Sequence, residues 1–166
     1  MRLGIVSDLH GRFDPRLPRV LEGVARIVLA GDTVDEALLE RLRGIAPVDA
    51  VRGNNDRRPA LLALPEMLEL DLAGTKILVL HDRKDPRLPA AIARRRPDVL
   101  VVGHSHQPLL LRDAGMLVVN PGSAGPRRFR LPRTAGTMTL ARGRPPHVSL
   151  WDLDRDAPYP LVLQSV

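Results

Sequence analysis

The chain is 166 residues long, about one domain's worth, and its 44% hydrophobic and 27% charged residues are the balance of a folded globular protein. The absence of cysteine excludes disulfide frameworks, thiolate zinc sites and cysteine nucleophiles together. No apolar run approaches the roughly 20 residues of a bilayer span, and the start, Met1-Arg2-Leu3-Gly4-Ile5-Val6, is too short for a signal peptide, so a cytoplasmic protein with no membrane contact is expected. The net charge is +6, and all the basic residues except Lys76 and Lys84 are arginine. Such a balance suits a phosphate-rich partner, although a GC-rich codon background explains it more simply. Phe13, Phe129, Trp151 and Tyr159 are the only aromatics, too few for the base-stacking platforms of single-strand binders.

Along the chain, strand and helix signals first alternate. Leu3–Val6 is a short apolar strand, Leu17–Val24 places Leu17, Val20, Leu21 and Val24 on one helical face, and Arg26–Ala30 is a second strand. Val34–Leu42 repeats the helical pattern with Asp35 and Glu36 in its first turn, and Val48–Arg52 is a third strand. This order implies parallel strands joined by right-handed crossovers. The second half is richer in strands. Met67–Leu72 and Thr75–Leu80 flank the turn signal Ala73-Gly74. Leu88–Arg95 reads as a helix whose closing Arg94-Arg95-Arg96 suits its dipole. Val99–Val102 is a buried strand, and Leu109–Arg112 with Met116–Val119, then Thr137–Arg142 with His147–Leu153, form hairpin pairs. The Pro-rich stretches Pro86–Pro89, Pro126–Pro132, Pro145-Pro146 and Pro158–Pro160 read as loops or a terminal extension. A single α/β domain over residues 1–166 is expected.

The polar residues that carry chemistry stand just past the C-terminal ends of these strands, the edge where α/β sheets bind ligands. Asp8-Leu9-His10 follows the first strand, Gly31-Asp32 the second and Gly53-Asn54-Asn55-Asp56 the third. His81, Gly103-His104-Ser105-His106 and Asn120-Pro121-Gly122-Ser123 close three later ones, so four of the five histidines lie at such ends. A D-x-H string is expected by chance roughly 0.4 times at this composition, but G-H-x-H only about 0.01 times and G-N-x-D about 0.02 times. Their joint presence at strand ends is therefore a signal. Carboxylate, imidazole and amide donors without sulfur suit Mn²⁺, Fe²⁺, Co²⁺, Ni²⁺ or Zn²⁺. Seven candidate ligands exceed one tetrahedral site and fit two ions sharing a carboxylate, the arrangement that clamps both oxygens of a phosphoryl transfer.

In this order the motifs resemble the calcineurin-like metallophosphoesterase superfamily, from Arg2 to about Leu153. The short chain and the G-N-N-D form are similar to its small bacterial and archaeal phosphodiesterase branch, relatives of the retromer subunit of the same fold. The resemblance implies an α/β/β/α sandwich, two mixed β-sheets flanked by helices, with a dinuclear site at the strand C-terminal edge. It implies one metal on Asp8, His10, Asp32 and His106, and a second on Asp32, Asn54, His81 and His104, with Asp32 bridging and manganese the leading choice of ion. Alternation in an extended segment would turn His104 and His106 to one side, and Gly53 would allow a sharp turn before Asn54. Asn120 would support the ligands, and Asp56 would orient Asn55 or cap the segment after it. Arg127 and Arg128, close after Asn120, are candidates to contact substrate phosphate.

The sequence departs from the superfamily pattern in two places. Many relatives carry histidine where Asn55 stands; asparagine donates a hydrogen bond but delivers no proton near neutral pH. Relatives also carry glycine where Asp82 follows His81, and that carboxylate would either support a histidine or only decorate the loop. Some residues have plainer readings. Asp32 taken alone could cap a helix at Val34, Ser123 lacks the G-x-S-x-G surroundings of a nucleophile and reads as a turn, and His147 reads as a surface strand residue. The expected function is metal-dependent hydrolysis of small phosphoesters, diesters foremost, by a bridging hydroxide, with catalytic roles for Asp32 and Asn55. The alternatives are a non-catalytic interaction scaffold on the same fold and a nuclease or nucleic-acid binder, the latter disfavoured by the sparse aromatics. A homo-oligomer is left open.

Overall fold

The computed structural model describes residues 1–128 and 130–165, so Phe129, within the second Pro-rich stretch, lies outside the described residues. In chain order the elements are β1 (Arg2–Val6), α1 (Leu17–Val20), β2 (Arg26–Leu29), α2 (Glu36–Arg43), β3 (Val48–Ala50), α3 (Pro59–Leu62), β4 (Met67–Leu72) and β5 (Thr75–Leu80). They continue with α4 (Leu88–Arg95), β6 (Val99–Val101), β7 (Leu109–Asp113), β8 (Met116–Asn120), β9 (Thr134–Ala141), β10 (Arg144–Asp152), β11 (Ala157–Tyr159) and β12 (Leu163–Ser165). Two six-stranded sheets result, ordered β11-β10-β9-β1-β2-β3 and β12-β7-β8-β6-β5-β4. The triplet β1-β2-β3 is parallel, as the alternating signals imply, and so is β5-β6-β8. Both sheets are mixed, because β9 runs antiparallel to β1 and β10 to β9, while β4 and β7 run antiparallel to β5 and β8.

The strands are apolar on both faces because each sheet is covered twice. Leu3, Ile5, Val28 and Ala30 meet Ile77, Val79, Val99, Val101, Leu117 and Val119 between the sheets. The alternate residues turn outward. Leu29 and Ile27 pack with Leu17, Leu21, Leu38, Leu39 and Leu42 of the α1 and α2 layer. Leu78, Leu80, Leu100, Val102 and Val118 pack with Leu88 and Ala91 of α4. Three stacked apolar layers make the expected α/β/β/α sandwich. Among the described residues, no helix is long and apolar enough to cross a membrane.

Four expectations change. The first helix stops at Val20 rather than Val24, because Gly23 takes φ +70° and the chain leaves in a turn, although Leu21 and Val24 keep their core places. The second helix is capped by Asp35, whose carboxylate accepts from Ala37 N at 3.1 Å, so Asp32 is not its cap. Pro145, Pro146 and Pro158 lie inside β10 and β11 rather than in loops. A register irregularity between Arg144 and His147 accommodates the first two, and the sheet edge tolerates the third, which has no N–H to donate. The C-terminal residues add β12 in parallel to β7, a strand with no local signal.

Candidate metal centre

The C-terminal ends of β1, β2 and β3 in one sheet and of β5, β6 and β8 in the other bring the strand-end motifs to one end of the sandwich. Asp8, His10 and His106 offer ligand atoms within 4.8 Å of one another, and so do Asp8, Asp32 and His81. Asp8 Oδ1 lies 3.3 Å from His106 Nε2 and 3.6 Å from His10 Nε2. Asp32 Oδ2 lies 3.5 Å from His10 Nε2 and 3.3 Å from His81 Nε2, which puts this carboxylate between the two histidine groups. Asn54 Oδ1 faces His81 Nε2 at 3.1 Å and His104 Nδ1 at 3.0 Å. All seven candidate ligands therefore lie together at this end of the sandwich.

The donor chemistry fits cations. His10 Nε2 and His106 Nε2 approach to 3.1 Å, an N–H···N contact whose place a bound cation would take. Asp8 Oδ1 is buried with no hydrogen-bond partner and faces the same point. Its other oxygen is held from behind by Ser7 Oγ and by the His104 backbone N–H at 3.1 Å, so the carboxylate presents one free oxygen inward. His81 is set in a ligating tautomer: Nδ1 meets the Ala30 carbonyl at 2.7 Å, leaving Nε2 for the centre.

Electrostatics follow from burial and proximity. Burial alone raises the Asp8 carboxyl, but the approach of the His10 and His106 rings, the charge of His81 and the Ser7 hydroxyl outweigh it and hold the group well below the usual carboxylate range. Asp32 is lowered in the same way: burial opposes, while His81 and the two Asn55 hydrogen bonds prevail. Burial lowers His81, yet Asp32, Asp8 and the Ala30 carbonyl push it up to about 8.

Two glycines make room for this arrangement. A Cβ on Gly53 would overlap the Asp32 carboxylate, and one on Gly103 would overlap Ser7 Oγ and Asp8 Oδ2. Gly53 opens the expected turn, closed by Asp56 N on Gly53 O at 3.3 Å, and its missing side chain is also required for the close approach of Asp32. The His104–His106 segment is not extended. Both residues adopt φ near +60°, at +66° and +58°, and Ser105 N bonds Gly103 O in a tight turn. That turn sends His104 toward Asn54 and His106 toward Asp8.

The supporting residues act through backbone. Asp56 accepts from the N–H groups of Asp32 (3.0 Å), Val34 (2.7 Å) and Gly53 (2.8 Å), tying the loops after β2 and β3 together, so it orients Asp32 rather than Asn55. Asn55 is instead held by Asp32: its N–H reaches Oδ1 at 2.8 Å and its amide Nδ2 reaches Oδ2 at 2.7 Å. Asn120 donates to Gly103 O at 2.8 Å and Ser105 Oγ at 3.0 Å, bracing the histidine turn without touching a ligand side chain. Ser123 Oγ donates to the Asp8 carbonyl at 2.9 Å, a structural brace, and His147 lies exposed on β10. Arg128 reaches the centre, with Nη2 3.3 Å from His10 Nδ1, whereas Arg127 lines a separate hollow with Asp152, Asp154 and Tyr159.

Ser7, Asp14 and Arg133 carry no motif, and no local signal marks them. Ser7 stands beside Asp8 as one more polar residue at a strand end. Asp14 and Arg133 form a buried ion pair at 2.8 Å across 119 residues, a contact that neither neighbourhood announces.

Comparison with known proteins agrees with this geometry. The profile of the calcineurin-like phosphoesterase superfamily domain matches residues 1–143. The chain belongs to this superfamily. It is 33% identical to a "probable metallophosphoesterase" of Methanocaldococcus jannaschii, over 74% of this chain and 68% of that one. It is 24% identical to a phosphodiesterase of the same archaeon, over 74% of this chain and 83% of that one. Among solved structures, vacuolar protein sorting 29 from Cryptosporidium parvum superposes with a TM-score of 0.79 at 21% identity, covering 95% of this chain and 94% of the other, a likeness of fold. The family implies divalent metal ions and a phosphoesterase activity, and the two carboxylate–histidine groups are suited to hold such ions.

Proposed function

We propose that this phosphoesterase is a phosphodiesterase working with two divalent cations, manganese foremost, on small phosphodiesters with good leaving groups. The observation that carries the reading is the shared carboxylate: Asp32 Oδ2 stands within 3.5 Å of one histidine of each set, His10 and His81. Two cations bound there supply a water nucleophile at neutral pH and stabilise charge on the phosphoryl oxygens. The chain's own residues do the rest. Asp8, His10, Asp32 and His106 would hold one ion, and Asp32, Asn54, His81 and His104 the other. Asn55 anchors the bridging carboxylate and offers no proton to a departing alkoxide, which is why activated esters are favoured.

Arg128 supplies the phosphate contact. A guanidinium only donates, so its approach to His10 Nδ1 requires a lone pair there. Ligation through His10 Nε2 puts the proton on Nδ1, and Arg128 is then released toward a substrate phosphate. Similarity to a phosphodiesterase supports the diester preference. The fold likeness to vacuolar protein sorting 29 favours a second reading, an interaction scaffold, which the complete set of donor residues weighs against.

The test is elemental analysis coupled to a panel of aryl and alkyl mono- and diesters assayed with each divalent cation. Cation-dependent diester hydrolysis that disappears in Asp32→Asn supports the reading. Hydrolysis of no activated ester with any cation favours the scaffold. Arg128→Ala should raise KM for the diester several-fold while Arg127→Ala leaves it unchanged.

A further inference from the structure

The four candidate ligand histidines differ in what stands behind the ring nitrogen that faces away from the centre. His81 has the Ala30 carbonyl behind Nδ1 at 2.7 Å. His106 Nδ1 is buried with no partner, and behind His10 Nδ1 is Arg128, a donor rather than an acceptor. His104 presents Nδ1 to Asn54, so its outward nitrogen is Nε2, and Asp82 Oδ2 stands 3.9 Å from it. That is ion-pair range and about 1 Å beyond a hydrogen bond. His104 is also the loosest of the four: its side chain is 46% exposed, against 7% or less for His10, His81 and His106. The edge of its ring rests on His81, with centroids 5.2 Å apart at 80°.

Asp82 itself is placed. Its Oδ1 accepts from Lys84 N at 2.9 Å, which anchors one carboxylate oxygen and leaves the other beside His104. Its neighbours in the cleft are Arg52, Arg57, Arg87, Glu66 and Asp85. Arg52 and Arg87 pair with Glu66, and Arg87 also with Asp85, so these two arginines are engaged elsewhere than on Asp82.

We infer that Asp82 is a positioning residue for the second ion: it accepts the Nε2–H of His104 and fixes the ring with Nδ1 toward Asn54. This rests on the two-ion reading and adds to it a residue outside the seven-ligand set. A ligating histidine commonly donates its other N–H to a carboxylate, and removing such a partner costs roughly 10–100-fold in metal affinity. The half-exposed setting of this pair places the effect at the low end, about tenfold.

The full-length, metal-free protein is titrated with Mn²⁺ by calorimetry, with the bound ions counted by elemental analysis after dialysis. Asp82→Ser keeps an oxygen for Lys84 N but is too short to reach His104, and thermal unfolding of the metal-free variant checks the fold. The expected result is about tenfold weaker binding of one ion and unchanged binding of the other. Asp82→Asn, whose amide oxygen still accepts an N–H but without the charge, should recover part of the loss. Unchanged affinity for both ions in Asp82→Ser overturns the inference, and so does equal weakening of both, which marks a merely structural residue. Uptake of fewer than two ions by the wild-type protein is seen before any variant is made; it overturns the two-ion reading itself and this inference with it.

Discussion

Five of the seven candidate ligands, Asp8, His10, Asp32, His104 and His106, adopt φ between +44° and +66°. Each such residue costs roughly 1–2 kcal/mol over a glycine-free turn in the ordinary region, so the surrounding bonds must hold the centre in place. The strain gives a prediction with an unusual sign. At His104, glycine should be more stable than alanine by about 1 kcal/mol, raising the melting temperature of the metal-free protein by roughly 2–4 °C. Calorimetric melting of His104→Gly and His104→Ala checks the order. Asn55 carries the other prediction at this scale. Asn55→His places a titratable ring beside Asp32 and should accelerate hydrolysis of alkyl diesters roughly 100-fold, with little effect on aryl ones. Equal rates on alkyl esters in the two proteins would remove Asn55 as the cause of the leaving-group preference. Asp32 and the histidines were legible because rare residue types recur at strand ends. Ser7 was not, because a hydroxyl beside a carboxylate has no signature until both are buried.

At the scale of elements, the centre depends on loops locked to one another rather than on any single loop. Asp56 joins the turn after β2 to the turn after β3 through three backbone N–H groups. Bonds to a charged acceptor are worth roughly 1.5–3 kcal/mol each, so Asp56→Ala, which loses three, should destabilise the fold by about 4–5 kcal/mol or more. It should also weaken metal uptake, although Asp56 is outside the ligand set; denaturant unfolding and metal titration of the same variant measure both. The helices and parallel strands were readable from periodicity because each is buried on a defined face. β11 and β12 were not, because they are short edge strands whose pairing with β10 and β7 replaces any local preference. The four-residue α3 is too short to show a period.

Across the whole molecule, the last third of the chain holds the first motif in position. Ser123, Ala124 and Gly125 bond the backbone of Ser7 or Asp8, and β9 pairs with β1. Arg133 then bridges Asp14 and Asp154 at 2.8 and 2.7 Å, with Asp14 fully buried. Burial opposes ionisation of both carboxylates, yet the bonds from Arg133, and for Asp14 also from the Arg16 backbone, keep both below their ordinary value of 3.8. A depressed folded value means the pair stabilises the protein above about pH 3.8 and loses that contribution as pH falls through the folded values. Arg133→Met should therefore cost about 3 kcal/mol at pH 7, by leaving the buried Asp14 with Arg16 as its remaining partner. The gap in melting temperature to wild type should narrow below pH 4, where Asp14 can be neutralised, and melts recorded from pH 7 to 3 test this. By itself the sequence determined the donor set, the parallel strands and the edge at which the motifs gather, because ligand chemistry and hydrophobic period are local properties. Only the tertiary structure decided which histidine nitrogen faces the centre, that Asp56 ties the Asp32 and Gly53 loops together, and that Asp14 pairs with Arg133. Those facts depend on contacts between residues far apart in the chain, which burial and close approach settle only once both sheets have formed.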